Sequence, residues 1–354
     1  MRDELLRVEG LVKHFPLDRG SYIVAVNCVS FTVGRSETLG LVGESGSGKT
    51  TVGRCILRLI EPTAGTIRFD GVDISTIPQS RLRTLRSRMQ IVFQEPFASL
   101  DPRWSVGRTV EEPLVLQGHL NGAQRTERVK EVLDAVRLDG RYLSRRPADL
   151  TTSEQQRVSI ARAIATHPAL VVLDEPTSAL DVSVRAEILD LLVELQNEFG
   201  IAYILISHDL TAVERVSHRI AIMYLGRIVE VGATEQILAK QFHPYSRALL
   251  SAVLYPDPHR KLDPFVLKGE IPSAINPPDE CSLVGRCPIA HEHCKSAFPP
   301  LREVEQGHFA ACYRSIEFAT GTLLGSADDA SAASARPAAA TYVEAQTTYQ
   351  RAGS

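Results

Sequence analysis

Leu170–Asp181 reads LVVLDEPTSALD. Four apolar residues run into Asp174 and Glu175, and Ser178-Ala179-Leu180-Asp181 follows at once. An unbroken apolar run of this length, bounded by charged and turn residues, predicts a strand buried on both faces. Such a strand delivers two adjacent carboxylates to the carboxyl edge of a sheet, where α/β folds bind ligands. A core strand that merely ends in acidic residues is the plain alternative, and the rest of the chain decides against it.

Upstream lies GESGSGKT, Gly43 to Thr50, which fits the phosphate-loop pattern at every fixed position. Thr38-Leu39-Gly40-Leu41-Val42 before it predicts a buried strand. Val52, Cys55, Ile56, Leu59 and Ile60 after it have the spacing of one apolar helix face. Strand, glycine-rich loop and helix is the context the motif requires. The expected cradle is Gly43, Glu44, Ser45, Gly46, Ser47, Gly48, Lys49, Thr50 and Thr51. Its glycines let backbone N–H groups curl around phosphate oxygens, and the helix opening at Lys49 turns its positive end to the same anion. Lys49 is expected to meet the β- and γ-phosphates, and the Thr50 hydroxyl to bind Mg²⁺. Asp174 then becomes the Mg²⁺ carboxylate, directly or through water, and Glu175 the group that polarises the attacking water. Gln94 after Met89–Phe93 and His208 after Ile204–Ser207 also follow apolar strands. Singly each is an ordinary loop residue; in this order they belong with the two motifs.

That order resembles the ATP-binding subunits of ABC transporters, from about Leu6 to Tyr313. The resemblance implies an α/β P-loop ABC-type nucleotide-binding domain with an antiparallel β lobe and a helical subdomain. It implies ATP as the nucleotide. Gln94 matches the glutamine that senses Mg²⁺ and the lytic water, and His208 the switch histidine near the γ-phosphate. Asp174 and Glu175 match the paired carboxylates, and Ser178 to Asp181 the loop that follows them. Phe15 is the expected adenine-stacking aromatic, although the insertion Asp18 to Val24 puts Tyr22 in competition. FQEPFASLDPRWSVG (Phe93 to Gly107) and QFHPYSRALLSAV (Gln241 to Val253) resemble the importers of dipeptides, oligopeptides and nickel. Such subunits work as dimers under two membrane permeases, at the cytoplasmic face, with an extracytoplasmic solute-binding protein as an indirect partner.

One departure stands out. Where the family has LSGGQ, this chain has Leu150-Thr151-Thr152-Ser153-Glu154, followed by a well-matched Gln155-Gln156-Arg157-Val158. In the family that segment opens a helix whose N-terminus caps the γ-phosphate of ATP bound to the opposite subunit. Thr152 and Ser153 add Cβ atoms there, and Glu154 adds a negative charge that a helix N-terminus tolerates but an anion does not. The expectation is a heterodimer with a related subunit whose signature is intact.

Composition sets the bounds. With 354 residues, 44% hydrophobic and 23% charged, the chain is expected to be a soluble globular protein with room for two domains. No apolar run reaches the roughly 18 residues of a spanning helix, and MRDELLRVEG lacks a signal-peptide pattern. A net charge of −3 gives no support for nucleic acid as the main ligand. Four arginines between Ser80 and Arg88 predict a solvated helix face.

The expected organisation is an ATP-binding domain over 1–250, with the helical subdomain at about 95–160, a Cys-containing C-terminal extension over 251–320, and a disordered tail over 321–354. Ile67 and Phe69, Asp70-Gly71, then Val72 and Ile74 predict a hairpin. Val184, Ile188, Leu191, Leu195 and Phe199, closed by Gly200, predict a helix. The prolines from Pro256 to Pro278 mark a linker or an extended wrap.

Four of the six cysteines, Cys281, Cys287, Cys294 and Cys312, fall in the extension. Their spacing is not the paired arrangement of most structural zinc sites. Four thiolates still suggest a soft metal, and the pattern resembles the [4Fe–4S] ligand set in the extension of some peptide-importer ATPases. Zn²⁺, with His291 or His293, is the runner-up, and unliganded or disulfide-bonded cysteines the remainder. Nothing in the sequence places this group near the phosphates. Two further function classes fit the sequence less well. A regulatory GTPase would need an N-K-x-D guanine-reading motif, which is lacking, and a non-transport ABC-type ATPase would usually carry two cassettes or a long coiled coil.

Overall fold

The computed structural model describes residues 3–252 and 265–322. The tail from 323 onward, and 253–264 within the proline-rich stretch, lie outside the described residues. The strands in chain order are β1 (Glu4–Pro16), β2 (Tyr22–Gly34), β3 (Thr38–Val42), β4 (Ala64–Phe69), β5 (Val72–Asp73), β6 (Met89–Val92), β7 (Leu170–Asp174), β8 (Ala202–Ser207), β9 (Arg219–Tyr224), β10 (Arg227–Ala233), β11 (Arg302–Glu305) and β12 (His308–Ala310).

Two sheets result. The smaller is antiparallel, in the order β2-β1-β4-β5, and the expected hairpin pairs Phe69 with Val72 across a turn where Asp70 and Gly71 both have positive φ. The larger has the order β11-β12-β10-β9-β3-β8-β7-β6. Within it β9, β3, β8, β7 and β6 run parallel, so their carboxyl ends share one edge. The central strands face a core on each side, which is why they read as unbroken apolar runs. In β7, Val171 and Leu173 pack with the helical layer, while Leu170 and Val172 pack with the antiparallel lobe.

The helical subdomain holds the helices Val106–Gln117, Gly122–Ala135 and Thr152–Ile164. The predicted helix Val182–Phe199 is present and closes at Gly200, whose φ of 66° only glycine adopts cheaply. The helix after the phosphate loop is shorter than its periodicity implies. It ends at Ile56, Arg58 turns into the left-handed region, and Leu59 is left 48% exposed. The arginine-rich stretch is also only partly a solvated face. It forms a helix over Gln79–Arg86, but Arg86 donates to the carbonyl of Arg58, and Arg88 pairs with Asp70 at 2.8 Å over the Phe69 ring.

The C-terminal segment belongs to the body of the molecule. Val24 donates its N–H to Ala274 at 2.9 Å, and Asn276 exchanges hydrogen bonds with Tyr22, so an extended stretch runs along β2. Further on, β12 pairs with β10 and carries β11 on its far side. A fully buried pair fixes this junction. His308 Nε2 lies 2.8 Å from Glu230 Oε1, and the same carboxylate accepts from the N–H groups of Phe242 and His243.

Candidate active site

The shared carboxyl edge assembles the polar residues one strand at a time. β3 runs into the phosphate loop, β6 leads to Gln94, β7 ends in Asp174 and Glu175, and β8 leads to His208. Glu175 takes a left-handed φ of 49° and donates its N–H to Ile206 at 2.9 Å. Left-handed backbone at a non-glycine residue carries a small strain, offset here by that hydrogen bond. Its carboxylate is shared between two neighbours. Gln94 Nε2 donates to Oε2 at 3.0 Å, and His208 Nδ1 lies 3.1 Å from Oε1.

The loop itself is tightly built. A Cβ on Gly43 would stand 2.2 Å from the carbonyl oxygen of Met223, and one on Gly48 would stand 2.1 Å from that of Ala25. These glycines are needed for close backbone contact within the chain as well as for an anion. Lys49 is buried, and its ammonium donates to the carbonyls of Gly43 at 2.7 Å and Glu44 at 2.9 Å. Burial lowers its pKa, opposed by Glu175, Asp174 and Glu44. The Thr50 hydroxyl donates to Asp174 Oδ1 at 2.9 Å, and burial raises the Asp174 pKa against that bond. Hydroxyl and carboxylate oxygens at this spacing are the hard donors that suit Mg²⁺. Thr51 continues the helix that opens at Lys49.

The two aromatic candidates lie at the far ends of paired strands. Phe15 sits opposite Ile23 with the Lys13 ammonium over its ring, and Tyr22 stacks on His14 with centroids 4.8 Å apart. The aligned signature opens the helix Thr152–Ile164 with a complete capping box. Glu154 accepts from Thr151 N–H at 2.8 Å and from the Thr151 hydroxyl at 3.0 Å, and Thr151 Oγ1 accepts from Glu154 N–H. The Tyr142 hydroxyl also donates to Glu154, and this bond first of all lowers the Glu154 pKa. Nothing local in the sequence marks Tyr142 as that partner.

Cys281, Cys287, Cys294 and Cys312 line one small cavity together with His243, and Cys281 donates its N–H to Cys294 O at 2.9 Å. Burial pushes the thiols of Cys281 and Cys312 up, to about 11 and about 12. Among the described residues, no group of three or more His, Cys, Asp or Glu is arranged to hold a metal ion. His291 and His293 stack on each other, with 6.2 Å between ring centroids.

The ABC transporter family model matches residues 26–178, and the model of the oligopeptide/dipeptide transporter C-terminal region matches 229–294. A Brucella ovis relative, provisionally named a peptide import ATP-binding protein, is 47% identical over 88% of this chain and 98% of its own length. The chain belongs to the ATP-binding subunits of ABC transporters. The oligopeptide transport ATP-binding protein AppF of Bacillus subtilis is 40% identical over 88% of this chain and 98% of its own. Among solved structures, the dimeric post-hydrolysis ATP-binding cassette MJ0796 bound to ADP and Pi has a TM-score of 0.60. It is 28% identical and covers 65% of this chain and 99% of its own. As an ABC ATPase subunit, the chain brings every residue of the expected hydrolytic set to one sheet edge. No helix among its described residues is long and apolar enough to cross a membrane.

Proposed function

We propose that this subunit hydrolyses ATP to energise the uptake of peptides, or of a related small solute, through an ABC importer. It acts peripherally at the cytoplasmic face of the cell membrane, under two permease subunits that receive solute from an extracytoplasmic binding protein. The observation that carries the reading is the Glu175 carboxylate held between Gln94 and His208, beside Lys49 and the Thr50–Asp174 pair. Glu175 accepts a hydrogen bond from the attacking water and orients it, while Lys49 and the helix N-terminus meet the phosphate charge. Mg²⁺, held by Thr50 and Asp174 with Gln94 alongside, would neutralise charge on the phosphate oxygens. Peptide as solute is supported by the names of the relatives and by the matched C-terminal region. The test is peptide uptake by reconstituted complexes carrying Glu175→Gln. Retained ATP binding with uptake lost supports the reading; parental uptake sinks it.

The dimer we propose is a heterodimer with a homologous subunit bearing an intact signature. Glu154 already occupies the N-terminus where the partner's phosphate would dock, and Tyr142 holds it there. The four cysteines we assign to a [4Fe–4S] cluster, with Zn²⁺ as the alternative. The support is that all four thiols line one cavity and that cysteine thiolates are the usual ligands of such a cluster. Iron and sulfide in anaerobically purified protein support the cluster, whereas stoichiometric zinc without iron replaces it.

A further inference from the structure

The phosphate loop and the cysteine segment, which the sequence gives no reason to connect, meet at Glu44. Tyr245, almost fully buried in the helix Pro244–Ser251, accepts the Glu44 N–H on its hydroxyl at 2.9 Å. The carbonyl of the same residue receives Lys49 Nζ. Both sides of residue 44 are therefore fixed, one by Tyr245 and one by the lysine that awaits phosphate. The Tyr245 ring packs on Tyr224 with centroids 4.5 Å apart. Tyr224 ends β9, and Gly226 in the turn beyond it donates to Ser47 O at 3.0 Å.

The fourth member comes from the cysteine segment. Arg286, one residue before Cys287, donates from Nη1 to the Tyr224 hydroxyl at 3.3 Å and lies 4.0 Å from Glu44 Oε2. Its backbone is locked by a turn, with Arg286 N–H on Leu283 O at 2.9 Å, and Cys287 N–H bonds to the same carbonyl. The segment from Cys281 to Cys287 thus ends in a guanidinium set against the opening of the phosphate loop.

We propose that Tyr245 and Arg286 are positioning residues of the nucleotide site, holding Glu44 so that the integrity of the C-terminal segment sets the affinity for ATP. Neither touches the reacting atoms. Their effect is to pre-form the loop turn that ATP would otherwise have to order. The proposal rests on the ATPase reading above.

The experiment uses the full chain in its assembled complex and compares Tyr245→Phe, Arg286→Gln and Arg286→Lys with the parent. ATP turnover is followed against MgATP, and melting is followed without nucleotide. Tyr245→Phe keeps the buried ring and removes only the acceptor, so KM for ATP should rise about fivefold while kcat and the melting temperature hold. Arg286→Gln should shift KM the same way, and Arg286→Lys should recover part of it. The double variant Tyr245→Phe/Arg286→Gln should fall short of the product of the singles, because both act through Glu44. Lys49→Ala serves as the control for the site itself. Parental KM in Tyr245→Phe, with Lys49→Ala binding lost, overturns the brace and leaves the ATP site standing. A loss of kcat alone, or a KM change that tracks a lower melting temperature, also overturns it. If Lys49→Ala binds ATP like the parent, the underlying reading is what fails. Should Arg286→Gln not fold, Tyr245→Phe carries the test.

Discussion

Two glutamates at two ends of the molecule are handled in opposite ways. Glu175 is offered to a ligand: its oxygens rest on Gln94 and His208, polar side chains that can exchange it for water. Glu154 is spent on its own helix, with Thr151 and Tyr142 filling its carboxylate. The end we propose as catalytic keeps its partners replaceable, whereas the capped end has its carboxylate satisfied inside the chain. Burial raises the pKa of Asp174, beside Glu175, and hydrogen bonds lower that of Glu154.

The largest effect should come from Glu175→Gln, which removes the carboxylate we propose to orient the attacking water. Turnover at this chain's site should fall on the order of 10²–10⁴ with ATP binding kept. A parental rate in a complex whose activity comes from this site would break the comparison at its catalytic end. Lys49→Ala comes next. Loss of its charge-assisted bonds should weaken nucleotide binding by roughly 10- to 100-fold, as titration with a fluorescent ATP analogue would measure. Unchanged affinity counts against the phosphate-loop assignment.

At the capped end the expected change is smaller. Combining Thr151→Ser, Thr152→Gly, Ser153→Gly and Glu154→Gln should raise turnover at the partner's site several-fold and leave this chain's site alone. Glu175→Gln in the same chain makes the readout site-specific. A fully active homodimer of the unaltered chain, or no change on restoration, removes the heterodimer proposal.

The smallest effects are in stability, and they should have opposite signs. Asp174 has a folded pKa above its unfolded value, so its charge costs stability at neutral pH and the cost disappears as pH falls through the folded pKa. Glu154 has a depressed folded pKa, so its contribution is present above the unfolded value and is lost as pH falls through the folded one. Without nucleotide, Asp174→Asn should therefore stabilise the fold at neutral pH, read as a rise in melting temperature. Glu154→Gln should destabilise slightly, since glutamine can still close a capping box. Melting curves that move in the same direction would show that the two carboxylates are not held differently.

The placement of the candidate site was legible because its polar residues follow apolar runs in local order. GESGSGKT, the carboxylates after LVVLDEP, Gln94 and His208 each follow an apolar run, and parallel strands bring such positions to one edge whatever the loops between them do. The apolar stripe after Lys49 misled at its end, because periodicity carries no sign that Arg58 leaves the helix. Tyr142 with Glu154, Tyr245 with Glu44, and His308 with Glu230 were not legible. Each is a single pair joined by the fold and not by spacing. β11 and β12 were missed for a related reason. Edge strands of four and three residues, REVE and HFA, carry too short a pattern to stand out from a loop.

Those two strands have a consequence for how the chain is made. Among the described residues, the outer edge of β10 is paired with β12, and the Glu230 carboxylate on β10 has a side-chain partner in His308. During synthesis the preceding strands leave the ribosome first, at roughly 5–20 residues per second. For several seconds the nascent sheet ends in the open edge of β10, and its Glu230 carboxylate meets the N–H groups of Phe242 and His243 before His308 exists. The edge of β10 is thereby closed last, when residues 308–310 arrive to pair with Glu230 and Val231.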